Sequence, residues 1–241
     1  MEFAESLYVV TERTRELSNG SEIVSPMGFR RFVVRVPLIR RIAKEGYEFY
    51  ELPPAELIKH WDYIWKKSTW HEVSHQALYY YQHKTITRIE FNKIKNWVSR
   101  CDCWEHSHDL SKIYALVVED NPDCILPLYE KCNTAKSPWK RRQSVVGLIE
   151  DSSKRNSILP LDEWIHFVEP LLNDEGYHVQ KGVSWTLREI FNVYAVEALD
   201  LLDRKILSLS SIAFSTATAK LDKEVKAILK LKRGIRRVSR P

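Results

Sequence analysis

An all-α fold of paired helices is predicted by three features of this 241-residue chain. Glycine occurs only seven times. Asn-Gly, the strongest tight-hairpin signal, occurs once, at Asn19-Gly20, where it reads as a helix exit. Proline recurs just inside helix starts behind a capping residue, at Asn121-Pro122 and Ser137-Pro138. Between such marks the apolar residues return at three and four, giving helices of about 10–16 residues separated by short polar connectors.

Taken in order, the first segment in doubt is "FVVRVPLI", residues 32–39. Its β-branched run reads locally as a strand, but Pro37 and the helical run "PLIRRIAKEG" favour a loop entering a helix. "LPPAELIKHWDYIW" opens on proline and carries Leu57, Trp61, Ile64 and Trp65 on one stripe. "NPDCILPLYEKC" and "SPWKRRQSVVGLIE" follow the same grammar. Arg141-Arg142 and Gln180-Lys181 stand 39 residues apart, and each opens a helix preceded by another amphipathic helix. "HEVSHQALYYY" (71–81) fits as a divergent third copy. A period of about 40 belongs to HEAT-like helix-pair repeats. The expected architecture is therefore an α-solenoid, one continuous array over residues 1–241, whose concave face binds something long.

Composition bounds the rest. Thirty-seven Lys and Arg against 32 Asp and Glu give a net charge of +5, too little to identify a nucleic-acid binder without a local pattern. No run of about 18 apolar residues exists, so no membrane span is expected. The N-terminal stretch is charged throughout and lacks the apolar core of a secretory signal, so Cys101, Cys103, Cys124 and Cys132 point to a reducing cytoplasm. Cys124 and Cys132 read as small buried hydrophobes. Gly147 and Gly182 are expected to mark close helix packing, and a monomer is expected.

The local charge pattern appears in the helix around residues 178–191. Val179, Val183, Leu187 and Ile190 form its core stripe, while Lys181, Trp185 and Arg188 share a row on the opposite side. An indole between two cations suits contact with nucleic-acid backbone and sugar, or else packs against a neighbouring repeat under the cation stems. Trp139, Lys140, Arg141 and Arg142 repeat the cluster at a helix N-terminus, where free N–H groups also favour anions. Nine basic residues against two acidic ones between Lys220 and Arg240 extend the same sign, and residues 232–241 read as an irregular basic arm.

"CDCWEHSHD", residues 101–109, concentrates two cysteines, a tryptophan, two histidines and three carboxylates. A zinc set of Cys101, Cys103, His106 and His108 has suitable ligand types, but on a helix residues two apart point about 200° from one another, so the four cannot converge. Trp104 and His108 share one face, Glu105 and Asp109 the adjacent one.

Four segments resemble the AlkD-like DNA alkylation-repair family: "VRVPLIRRIAKE", "STWHEVSHQAL", "SPWKRRQSVV" and, most specifically, "VQKGVSWTLREI". The resemblance spans roughly residues 25–220. It implies an α-solenoid whose concave face holds duplex DNA and excises positively charged N3- and N7-alkylated purines without flipping the base, using no metal and no cofactor. It further implies contacts to the lesion-bearing strand from two tryptophans, Trp104 and Trp185, and from Arg141 or Arg142, with Lys181 and Arg188 nearby. The family's aspartate is expected one turn after Trp104, where this chain has His108. Asp109 reaching in through a local shift, Glu105 from the preceding turn, or His108 itself as a general base could take that role. A non-catalytic DNA-binding HEAT-repeat protein that recognises damaged or branched DNA is the alternative. A protein-interaction solenoid is a third reading, disfavoured by aromatics interleaved with Arg and Lys.

Overall fold

A computed structural model describes residues 1–24, 30–149 and 159–238. Among these residues thirteen α-helices carry the chain, and the only sheet is a two-stranded hairpin. Where the sequence predicts one continuous array, packing groups the chain into two compact units, Met1–Ile113 and Tyr114–Pro241. No helix among the described residues is long and apolar enough to cross a membrane.

In the first unit α1 (Phe3–Leu17) leaves through Asn19 and Gly20, at φ of +49° and +77°. These are the residue types that tolerate left-handed backbone, and the helix exits where expected. The chain then forms β1 (Glu22–Val24) and β2 (Arg30–Phe32), which an all-helical reading omits. Tertiary contacts rather than propensity hold this hairpin. The Phe32 N–H donates to Glu72 Oε2 at 2.9 Å, and the Phe32 ring stacks on Trp70 at 3.8 Å with the Arg30 guanidinium 4.1 Å from the indole. "FVVRVPLI" resolves as predicted into a loop entering a helix, since only Phe32 is in a strand and α2 (Val36–Glu45) carries Pro37 in its first turn.

Next come α3 (Pro54–Lys67) and α4 (His71–Tyr81), which pack against each other. Leu57, Trp61, Ile64 and Trp65 are all buried, the stripe read from the sequence. Two of the buried indoles are satisfied as well as packed: Trp97 Nε1 donates to Asp62 Oδ1 at 2.9 Å, and Trp65 Nε1 to the Trp97 carbonyl at 3.2 Å. Helix α5 (Arg88–Ile94) begins with a Thr87–Glu90 capping box, and α6 (Trp104–Asp120) runs from this unit into the second.

The second unit contains α7 (Pro122–Asn133), α8 (Pro138–Val146), α9 (Leu161–Val168), α10 (Tyr177–Val193), α11 (Ala195–Arg204), α12 (Ser211–Ala217) and α13 (Lys223–Val238). Helix α7 packs on α8 and α9 on α10, the helix pairs that the 39-residue offset predicts. Gly182 lets α10 approach α8 closely: a Cβ there would meet Arg142 Cγ and Val146 Cγ1, each at 3.2 Å. A Cβ on Gly147 would lie 2.1 Å from the Tyr129 hydroxyl. Tyr129 is fully buried. Gly147→Ala is therefore expected to destabilise by about 1–3 kcal/mol through overpacking, read as a lowered urea midpoint. An unchanged midpoint would show that the ring moves freely.

Two expectations are corrected. Cys132 is buried, but Cys124 faces solvent because it stands on the outer face of α7, one residue before the buried Ile125. The basic end is not an irregular arm, since α13 continues to Val238 and docks through Arg233, which donates to the carbonyls of Ile206 and Leu209. Lys232 pairs with Asp203 at 3.0 Å. Residues 239–241 lie outside the described residues.

Candidate functional site

Helix α6 decides what the cluster at 101–109 can do. Trp104 opens the helix with half its surface in solvent, and the half-buried His108 follows one turn later, the rings 6.4 Å apart. A regular helix then turns Asp109 about 140° away from Trp104. Asp109 is 5% exposed, with Oδ2 on His75 Nε2 at 2.6 Å and Oδ1 accepting from Lys112 Nζ at 2.7 Å. Burial alone would raise its carboxyl, but the bonds and charges of His75 and Lys112 hold it well below the usual carboxylate range. The expectation that Asp109 reaches the Trp104 face through a local shift is therefore corrected, because α6 is regular there and the carboxylate is used inside. Glu105 is half-buried and accepts from Arg31 Nη2 of β2 at 3.2 Å.

Behind this face lies a cluster that the sequence reading passed over. His71 and His75, one turn apart on α4, meet His106 of α6 with ring centroids 4.7–5.1 Å from one another. All three are buried. Desolvation holds His71 and His106 far below the ordinary histidine range, so both rings are neutral. His106 Nδ1 is bonded to Asp102 Oδ1 at 2.7 Å, and burial raises the Asp102 carboxyl to about 6 against the pull of Arg100. Of the four zinc-type residues considered in the sequence, Cys103 and His106 come together, while Cys101 and His108 stand apart from that group. The spacing His71-x-x-x-His75 was the available signal.

On α10 the expected division holds. Val179, Val183, Leu187 and Ile190 are buried, whereas Lys181 is exposed and Trp185 and Arg188 are half-buried on the other side. Lys181 Nζ lies 5.9 Å from the Tyr177 ring, and Arg188 is bonded to Glu189 Oε1 at 3.3 Å. The α8 cluster behaves differently. Trp139 is half-buried against His178 at 4.7 Å. Arg141 grips Asp174 through Nε and Nη2 and also donates to the carbonyls of Ala135 and Lys136, so it ties α8 to the loop before α10. Arg142, expected to face a ligand, is interior instead: it is 5% exposed, passes over Gly182 and donates to the His178 carbonyl at 2.8 Å. Burial lowers its guanidinium to about 10.

The sequence and the fold match known proteins. The model of the DNA alkylation repair enzyme family matches residues 18–221. The chain belongs to this family. AlkD2 from Streptococcus mutans superposes with a TM-score of 0.61 at 16% identity, covering 90% of this chain and 99% of its own. A predicted DNA alkylation repair enzyme from Enterococcus faecalis gives 0.66 at 17% identity, over 91% and 96% of the two chains. These structures share the fold of this member of the DNA alkylation repair enzyme family. No curated protein matches the chain in sequence.

Proposed function

We propose that this protein is a DNA glycosylase that releases positively charged N3- and N7-alkylated purines from duplex DNA, without a base-flipping pocket. The observation that carries the reading is Trp104, a tryptophan 52% exposed at the start of α6 with His108 one turn on, in a chain of a DNA alkylation repair family. An exposed indole offers a flat, electron-rich face on which a sugar or base can lie, and the imidazole beside it can exchange a proton.

The chemistry needs little apparatus. Alkylation leaves the purine cationic, so the C1′–N bond breaks with its electron pair passing to the base, which departs neutral. Water adds to C1′ and gives its proton to a base, here His108, while indole faces stabilise the positive charge of the reacting sugar and purine. The exposed Lys181 and the half-buried Trp185 and Arg188 hold phosphate and sugar. The protein acts as a monomer in the cytoplasm.

Binding without excision is the second reading, and the enclosure of Asp109 by His75 and Lys112 is what favours it. Both readings require duplex binding that weakens steeply with salt, by about 0.9 in log–log slope per neutralised phosphate. Trp185→Ala is expected to weaken binding of methylated duplex by about 1–3 kcal/mol, and Lys181→Ala to lower the salt slope by about one. Salt-independent binding, or none, would leave the protein-interaction reading. Release of free 7-methylguanine separates the first reading from the second.

A further inference from the structure

We propose that His71, His75 and His106 hold a divalent transition metal of the zinc type, with Cys103 as the fourth donor, clamping α4 to the first turn of α6. One donor atom from each of the three imidazoles lies within 4.8 Å of the other two, close enough for small ring rotations to bring them onto one ion. The sequence arranges this simply. His71 and His75 sit at i and i+4 on one face of α4, and His106 enters from the adjoining helix start. Cys103 Sγ lies 4.0 Å from His71 Nδ1 and groups with Asp102 and His106, so a thiol stands beside two of the three imidazoles. Metal binding would release the Cys103 thiol proton to solvent.

The surroundings are those of a ligand shell. Asp109 holds His75 by Nε2 and Asp102 holds His106 by Nδ1, at 2.6 and 2.7 Å, the carboxylate–histidine pairing that orients metal-bound imidazoles. That arrangement leaves His75 Nδ1 buried without a hydrogen-bond partner, a loss that an ion would offset. Three buried imidazoles beside a thiol are the donor types of a zinc-like ion rather than of calcium or magnesium, since the carboxylates are engaged with the outer ring nitrogens. His71-Glu72-Val73-Ser74-His75 has the spacing of a zinc peptidase helix, yet Glu72 is taken by the Phe32 N–H at 2.9 Å and cannot serve as its base. The ion therefore has a positioning role, fixing the helix start that presents Trp104 and His108.

The test uses the full chain, stripped with chelator and titrated with cobalt chloride and then zinc chloride. Tetrahedral cobalt d–d absorption saturating at about one ion per chain, and bleached by zinc, is expected. His71→Gln and His106→Gln should abolish it with helical circular dichroism retained. Asp102→Asn, at a half-exposed outer position, should weaken affinity about 10–100-fold even if the histidine variants fail to fold. Absence of the bands in the wild type, bands that persist in folded His71→Gln, or an unchanged affinity in Asp102→Asn would each overturn the assignment and leave three packed histidines.

Discussion

Asp109→Ala is expected to lose about 3–5 kcal/mol of folding stability, a large share of what a domain of this size holds. The carboxylate is interior and serves two partners at once, His75 at 2.6 Å and Lys112 at 2.7 Å. Truncation strips both, and the small space left offers poor solvation to either. The contrast is Asp200 on α11, paired with Arg204 at 2.7 Å on the exposed surface, where alanine should change stability by less than about 1 kcal/mol. Urea denaturation of both variants checks the pair. A loss below about 1 kcal/mol for Asp109→Ala would mean that the buried bond network is replaceable by water.

His108→Ala should slow base release by about 100-fold or more while leaving stability within about 0.5 kcal/mol. The magnitude is that of a general base, and the small stability cost follows from a half-buried side chain on the outer row of α6. Glu105 is the competing residue. Its carboxylate is paired with Arg31 at 3.2 Å, so Glu105→Gln should alter release by less than threefold, on the order of the small worth of such a pair. Single-turnover rates on methylated duplex distinguish them. A large loss in Glu105→Gln with His108→Ala unaffected would transfer the role to the glutamate.

Much of this was legible in the chain. Pro53-Pro54, Asn121-Pro122 and Ser137-Pro138 do mark helix starts, and the core stripes of α3 and α10 lie where the spacing of Leu57, Trp61 and Trp65, and of Val179, Val183 and Leu187, puts them. Local rules suffice there because one helix face is simply buried. The hairpin of β1 and β2 was not legible, since it exists through Glu72 and Trp70, residues about 40 positions away. Nor was the fate of the arginines. Arg141 and Arg142 look like surface cations in sequence, and only the approach of α10 over Gly182, together with Asp174, turns one inward and occupies the other. The histidine cluster needs the contact between α4 and α6, although the i, i+4 pair on α4 was visible beforehand.

The central claim is that the exposed Trp104–His108 face performs excision, and release of 7-methylguanine from methylated duplex by the wild-type protein tests it most directly. Chromatography of the free base over time should show release well above spontaneous depurination, and loss of that excess in His108→Ala. Release no faster than the spontaneous rate, with salt-dependent duplex binding intact, would contradict the claim and make this a DNA-binding member of the family that leaves the base in place.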